Sequence, residues 1–160
     1  MDKYRASGQA ALSGFSKITE ATRCQEFSDA RISDTVFRRA RHIVTDNART
    51  LAAADALRGG NLKAMGELMH ASHDSQREDF EITVPDTNRL TMLMQIAIGK
   101  EGGARQTGGG FGGAVVGLMR QDAVARVTEH VLRNYRTPSG GRPDIRVERA
   151  SAGASIIQSK

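Results

Sequence analysis

The stretch from Glu101 to Arg120, E-G-G-A-R-Q-T-G-G-G-F-G-G-A-V-V-G-L-M-R, holds eight of the chain's 17 glycines. Glycine suits places where the backbone must turn tightly or come close to another group, and it weakens the interior of a helix. Ala114-Val115-Val116-Gly117-Leu118-Met119 is a short apolar, partly β-branched run of the kind that fills a buried strand. The stretch therefore reads as a strand over Gly103–Thr107, a glycine turn, and a second strand over Gly113–Met119. The rest of the chain has to build a scaffold around that hairpin.

Gly108, Gly110 and Gly113 satisfy G-x-G-x-x-G, but a dinucleotide-binding loop must open a helix whose N-terminus carries the pyrophosphate. Here the glycines run into a strand, and Glu129, the acidic residue at the nearest distance, falls in a helical pattern. No Gly-Lys-Ser/Thr follows the loop, so the Walker pattern is absent as well. Two readings of the turn remain open: backbone N–H groups directed inward as a nest for an anion, or a glycine hairpin that lets another surface approach closely.

Upstream, Val36/Phe37, Ala40, Ile43/Val44, Ala48, Leu51, Ala54 and Leu57 recur at helical spacing, with Ser33 or Asp34 as N-cap and Gly59-Gly60 as stop. Asn61 caps a second helix with Leu62, Met65, Leu68, Met69 and Ser72 on one face to about Asp74, and the pair forms an αα-hairpin. The methionines read as gap-filling core. His70 and His73 share a face, but no Cys or carboxylate set completes a metal site around them. Asp74–Asp79 reads as a polar loop, and Glu81-Ile82-Thr83-Val84 as a strand ended by Pro85. A third helix begins at Asp86 or Thr87 and stops at Gly99. A fourth begins at Asp122 with Val124, Val127, Val131 and Leu132 inward. After a break over Pro138–Pro143, Ile145-Arg146-Val147-Glu148 alternates as a last strand. From Glu81 on, the order is β-α-β-β-α-β, the ferredoxin-like unit. The expected class is thus α+β, an antiparallel sheet with helices on one face, preceded by the αα-hairpin. Residues 1–33 read as a partly helical lead-in, with a helix near Ala10–Ala21.

Composition excludes several functions. The 160 residues contain 39% hydrophobic and 26% charged side chains, ordinary for a single soluble domain. No apolar run approaches the roughly 20 residues of a membrane span, and Met1-Asp2-Lys3-Tyr4-Arg5 lacks the apolar core of a signal peptide. Cys24 is alone, which forbids an internal disulfide and agrees with a reducing, cytoplasmic setting. The net charge of +5 invites nucleic-acid binding. However, aromatic residues are only 4%, Trp is absent, and Arg and Lys are scattered over helical repeats, so neither a stacking platform nor a basic run exists.

The run Ala104-Arg105-Gln106-Thr107-Gly108-Gly109-Gly110-Phe111-Gly112-Gly113 resembles the third signature motif of galactokinases, members of the GHMP small-molecule kinase superfamily. Arg39-Ala40-Arg41-His42 with Asn47-Ala48-Arg49-Thr50, Met65-Gly66-Glu67-Leu68-Met69 with Ser72-His73, and Asp79-Phe80-Glu81-Ile82-Thr83-Val84-Pro85 are similar to that family's C-terminal half, in the same order and spacing. The resemblance runs from about Val36 to Ala154. Departures from the pattern are Gln106 in place of an apolar residue, often Met, Ala114 in place of a frequent Cys, and Asn88 in place of an Asp. The family's Gly-Glu-His-Thr-Asp-Tyr-like sugar motif and Gly-Leu-Ser-Ser-Ser-Ala-like phosphate loop are missing from these 160 residues, and with them its catalytic Asp and Arg.

The resemblance implies a GHMP kinase C-terminal domain over residues 34–157, with a tail at 158–160. It also implies that Thr107, Gly108, Gly109, Gly110, Phe111, Gly112 and Gly113 line the cleft between two lobes, beside nucleotide and sugar. ATP and Mg2+ are the cofactors it implies, and galactose or a similar sugar the substrate. No residue of this chain receives a catalytic or metal-ligating role, and Asp79 and Glu81 are expected at a loop edge. Arg105 is expected near the cleft or paired with a local carboxylate. The expected function is the C-terminal half of a galactokinase, inactive alone. It would be a truncated product or a domain that pairs with a separately encoded N-terminal lobe, and its uncovered face would favour self-association. The alternative is a non-catalytic sugar- or partner-binding module.

Overall fold

The computed structural model describes residues 33–149; the lead-in helix expected near Ala10–Ala21 and the end of the 34–157 domain lie outside the described residues. Helix α1 spans Asp34–Arg58. The Ser33 hydroxyl accepts from the Val36 N–H (3.3 Å), and Gly59 ends the helix. Helix α2, Leu62–Ser75, starts where the Asn61 side chain accepts from the Ala64 N–H (3.0 Å) and lies against α1 as the expected αα-hairpin. Helix α3 covers Pro85–Ile98 and helix α4 Val124–Asn134, the latter entered through a 3-10 turn at Gln121–Ala123. Proline fits the first turn of α3 because that N–H has no intrahelical partner. The Thr87 hydroxyl oxygen accepts from the Val84 N–H (3.2 Å), and α3 stops at Gly99, where φ is 75°. None of the helices described is long and apolar enough to cross a membrane.

Strands β1, Gly102–Thr107, and β2, Ala114–Met119, pair antiparallel with Ala104 opposite Gly117 and Gln106 opposite Val115. One face of this hairpin meets α3 and α4, where Ala97, Ile98, Ala104 and Val127 form the apolar core, with Met94, Val115, Met119 and Ala123 packed around it. On the other side of β1 lies α2, with α1 behind it. The α+β class, with helices and a small antiparallel sheet after an αα-hairpin, holds.

Three local expectations change. The sheet has two strands among the described residues, not four. Residues 81–84 do not enter it because the Ile82 carbonyl is already occupied by the Phe111 N–H (2.6 Å) and the Gln106 side-chain amide (3.1 Å). Residues 145–148 find no ladder partner among the described residues, and Val147 stays 55% exposed. The polar segment after Asp74 is not a loop: α2 runs into a π-helical turn, Gln76–Phe80, that ends on Glu81 in the left-handed region, φ 56°. Its polarity is absorbed by arginines of α1. Arg41 bonds the Asp79 carboxylate, Arg39 the Asp79 carbonyl, and Arg38 the Glu78 carbonyl (2.9 Å). Asp79 is consequently buried rather than at a loop edge.

The α1–α2–β1 layer is held by polar groups. Arg105 donates to Ser72 Oγ (2.7 Å), whose own hydroxyl donates to Asp46 Oδ1 (2.7 Å), and Arg49 donates to the same oxygen (3.0 Å). Burial would raise the Asp46 carboxyl, but the Ser72 and Arg49 hydrogen bonds and the Arg49 and Arg105 charges outweigh it and hold it below its ordinary range. Asp79 is held low in the same way, burial being outweighed by Arg41 and Ser75. Ser75 gives its one hydroxyl proton to Asp79 Oδ2 (3.1 Å), so His42 Nδ1 must donate to Ser75 Oγ (2.9 Å). The His42 ring also stacks on Phe80 at 4.5 Å. His73 Nδ1 accepts from the Gln106 N–H (3.2 Å), which leaves its proton on Nε2. Burial pushes both imidazoles below the ordinary histidine value.

Two outcomes follow from this packing. At Gly66 an added Cβ would lie 1.9 Å from the Gly102 carbonyl oxygen, whereas at Gly59 the nearest atom would be 3.5 Å away. Gly66→Ala should lower stability by about 2–3 kcal/mol, the cost of overpacking, in a urea titration where Gly59→Ala stays within about 0.5 kcal/mol of the parent. In the pH profile, unfolded histidines take up protons near 6.5 while folded His42 and His73 resist. Their contribution is therefore complete above that pH and is lost as pH falls below it. Asp46 and Asp79 contribute fully above about pH 4 and lose their contribution as pH drops through their depressed values. Thermal melts should thus show two losses on acidification, and His42→Gln/His73→Gln should remove only the first. A flat melting temperature between neutral pH and pH 5 would contradict the buried neutral pair.

Candidate functional site: the tip of the glycine hairpin

Between the two strands, residues 108–113 turn with positive φ at 108 and at 110–113. Two positions show why the sequence is what it is. Gly110, φ 89°, sits where an added Cβ would be 2.8 Å from Ile82 Cβ, so the chain reverses in contact with residue 82. Phe111, φ 55°, is one of two non-glycine residues with positive φ among the described residues, and its ring stands outward, 77% exposed. Left-handed backbone at a bulky residue costs energy and persists only where its surroundings hold it. Here the hold is the short hydrogen bond from the Phe111 N–H to the Ile82 carbonyl.

Gln106 is the second anchor. Its side chain is 1% exposed, yet both ends are satisfied: Oε1 accepts from the Thr87 hydroxyl and Nε2 donates to the Ile82 carbonyl. A buried amide left unpaired would cost about 1–3 kcal/mol, so this polar residue needs both partners where it stands. The Ile82 carbonyl thus receives a strand side chain and the turn's backbone together, tying the tip to the segment that links the π-helical turn to α3. Sequence reading flagged Gln106 only as a departure from an apolar position and did not single out the Ile82 carbonyl. No sequence signal marks a backbone acceptor.

The structure brings Thr107 and Gly108–Gly113 together at one exposed end of the hairpin. Positions 108, 109 and 112 have nothing within 4 Å of where a Cβ would stand, so the backbone there borders open space. Arg105 does not join them. It is committed to Ser72 and lies 3.9 Å from Asp46, the local-carboxylate arrangement. Glu81, next to the anchor, pairs with Arg38 (2.6 Å) and Arg39 (2.5 Å), whose hydrogen bonds hold its carboxyl below the usual range. It is occupied as an ion-pair partner, not placed as a free base. His70 and His73 do not form a metal pair; His73 is buried against β1. Among the described residues no group of three or more His, Cys, Asp or Glu converges, so they do not by themselves make a cage for Mg2+. Around the turn they present an open, glycine-lined backbone surface.

The family model described as "GHMP kinases C terminal" matches residues 53–137. Among solved structures, the galactokinase of Lactococcus lactis, crystallised in complex with galactose, is similar at 37% identity with a TM-score of 0.59. The match covers 68% of this chain and 29% of that enzyme, so the chain spans less than a third of the enzyme's length. The family model covers more than half of the residues, and the aligned galactokinase shares the fold of the helices and hairpin. This chain therefore belongs to the GHMP kinase C-terminal domain family, in a galactokinase-like form.

Proposed function

We propose that this chain acts as the C-terminal half of an ATP-dependent galactokinase, which transfers the γ-phosphoryl group of ATP to galactose. The observation that carries the reading is the glycine turn, open to solvent at the end of a hairpin whose strand β1 is buried between α2 and α3. The domain extends over about residues 34–157, and Thr107–Gly113 are its cleft-lining residues. Phosphoryl transfer depends on positioning and on electrostatic stabilisation more than on covalent chemistry by the protein. ATP would supply the phosphoryl group, and Mg2+ would neutralise charge on its phosphates. The contribution of this chain is geometric: Gln106, Thr87 and the Ile82 carbonyl fix the turn, and the turn presents backbone at which a polar ligand meets N–H groups instead of side chains. The sugar and phosphate-loop motifs do not occur in these 160 residues, so the chain on its own carries no turnover. A reducing, cytoplasmic setting fits the single cysteine.

A coupled ADP-release assay with galactose tests this. The 160-residue chain alone should be inactive, and mixing it with a galactokinase N-terminal lobe that carries both motifs should restore activity. Turnover of about 1–1000 per second by the chain alone would overturn the inactivity. Calorimetric binding of galactose without the lobe, combined with no affinity for the lobe, would favour a sugar-binding module instead.

A further inference from the structure

The outward face of α1 carries a second pattern, independent of the glycine turn. Val36, Ala40, Ile43, Asn47, Ala54 and Leu57 recur at alternating three- and four-residue steps, with Thr50 completing the series and Leu51 beside it. That spacing is the a/d seam of a heptad repeat, with Ala40, Asn47 and Ala54 at a, and Val36, Ile43, Thr50 and Leu57 at d. The inward face of α1 is already used against α2 and the π-helical turn, and His42 is its buried residue. The seam faces the other way. Val36 is 54% exposed, Ile43 50%, Leu51 50% and Leu57 53%, and Asn47 is also exposed. Large apolar side chains left half in water along most of a 25-residue helix form the kind of contiguous patch that marks an interaction surface.

We infer that this face of α1 is a self-association surface, on which a second copy of the chain lays its own α1 antiparallel. Three features select that occupant. First, a two-fold contact must be self-complementary, and the seam is. With the helices reversed, Ala40 falls opposite the partner's Leu57 and Ala54 opposite the partner's Ile43, while Asn47 and the partner's Thr50 meet at the centre. Each apolar layer then sets a large side chain on a small one, and the polar residues find each other. Second, a single Asn in such a seam fixes register and oligomeric state at some cost in stability. Third, the charge at each end of α1 is already balanced within the helix, Asp34 by Arg38 and Arg58 by Asp55, so neither end repels a second copy. Reversal also opposes the helix dipoles favourably.

Sedimentation velocity of the full chain over a wide concentration range tests this. The expected species has twice the 17.3 kDa chain mass, and Ile43→Glu should convert it to monomer while the circular dichroism spectrum is unchanged, since that side chain is half exposed. Orientation is read with a short bis-maleimide in a Cys24→Ser background. Asn47→Cys should link into a covalent dimer, and Leu57→Cys should not, because antiparallel copies hold the two Leu57 positions about 25 Å apart at a rise of 1.5 Å per residue. A chain that stays monomeric at every concentration, with residues 1–32 or nothing covering α1, overturns the inference. So does a dimer indifferent to Ile43→Glu, or one cross-linked equally well through Leu57→Cys.

Discussion

The contact on which the arrangement rests is one between backbones. Helix α2 reaches β1 at Gly66 against Gly102 and Gly103, close enough that a methyl group on Gly66 or Gly103 would fall within 3 Å of main-chain atoms on the other side. With that separation fixed, Ser72 and His73 on the same helix arrive over β1, where Ser72 receives Arg105 and His73 accepts from the Gln106 N–H. Shift α2 outward by one side-chain layer and both bonds are lost, which would leave buried polar groups without partners. The glycines and the polar network are therefore one device: close approach makes the hydrogen bonds possible, and the hydrogen bonds set the angle of approach.

Apolar and polar terms divide the work by side of the hairpin. Toward α3 and α4, the buried Ile98, Val127 and Val131 each contribute about 1.5–3 kcal/mol from side-chain burial. That face resembles an ordinary core. Toward α1 and α2 the buried residues include His42, Ser72, His73, Ser75, Gln76 and Asp79. A typical hydrogen bond adds only about 0.5–1.5 kcal/mol net, while leaving a buried group unpaired costs as much or more. The polar side therefore adds less to stability than to specificity, since few arrangements of α1, α2 and the π-helical turn pair His42, Ser72, Ser75 and Asp79 together.

Much of this was readable from the sequence where a periodic pattern or a backbone need speaks directly. Helices α1, α2 and α3 announced themselves through apolar repeats, the caps at Ser33 and Asn61, and the stops at Gly59 and Gly99. The hairpin announced itself through glycines beside a β-branched run. The misreadings came where burial was achieved by pairing. Gln76–Phe80 looks like a loop because it is polar, and only the reach of Arg38, Arg39 and Arg41 from α1 makes it a packed turn. Glu81–Val84 alternates like a strand, but an acceptor at Ile82 claimed by Gln106 and Phe111 takes it out of any ladder. Neither fact is local in sequence. At the candidate site the glycines and Phe111 were legible from the motif, whereas the anchors that hold them depend on residues roughly 20 to 30 positions away.

The same anchoring explains how a turn so rich in glycine can present a defined surface. Its base is pinned through Gln106 and Phe111 to the Ile82 carbonyl, and its crest at Gly108, Gly109 and Gly112 borders open space. A wall of a binding cleft needs that combination, a fixed foot and a free edge. Native-state amide hydrogen exchange read residue by residue tests it most directly. The Gln106 amide, bonded to the buried His73 ring, should exchange only with global unfolding, Phe111 should be partly protected, and Gly108, Gly109 and Gly112 should exchange at nearly the rate of an unfolded chain. Crest amides protected as strongly as those of β1 would mean that the turn is buried, and the account of it as an exposed cleft wall would be wrong.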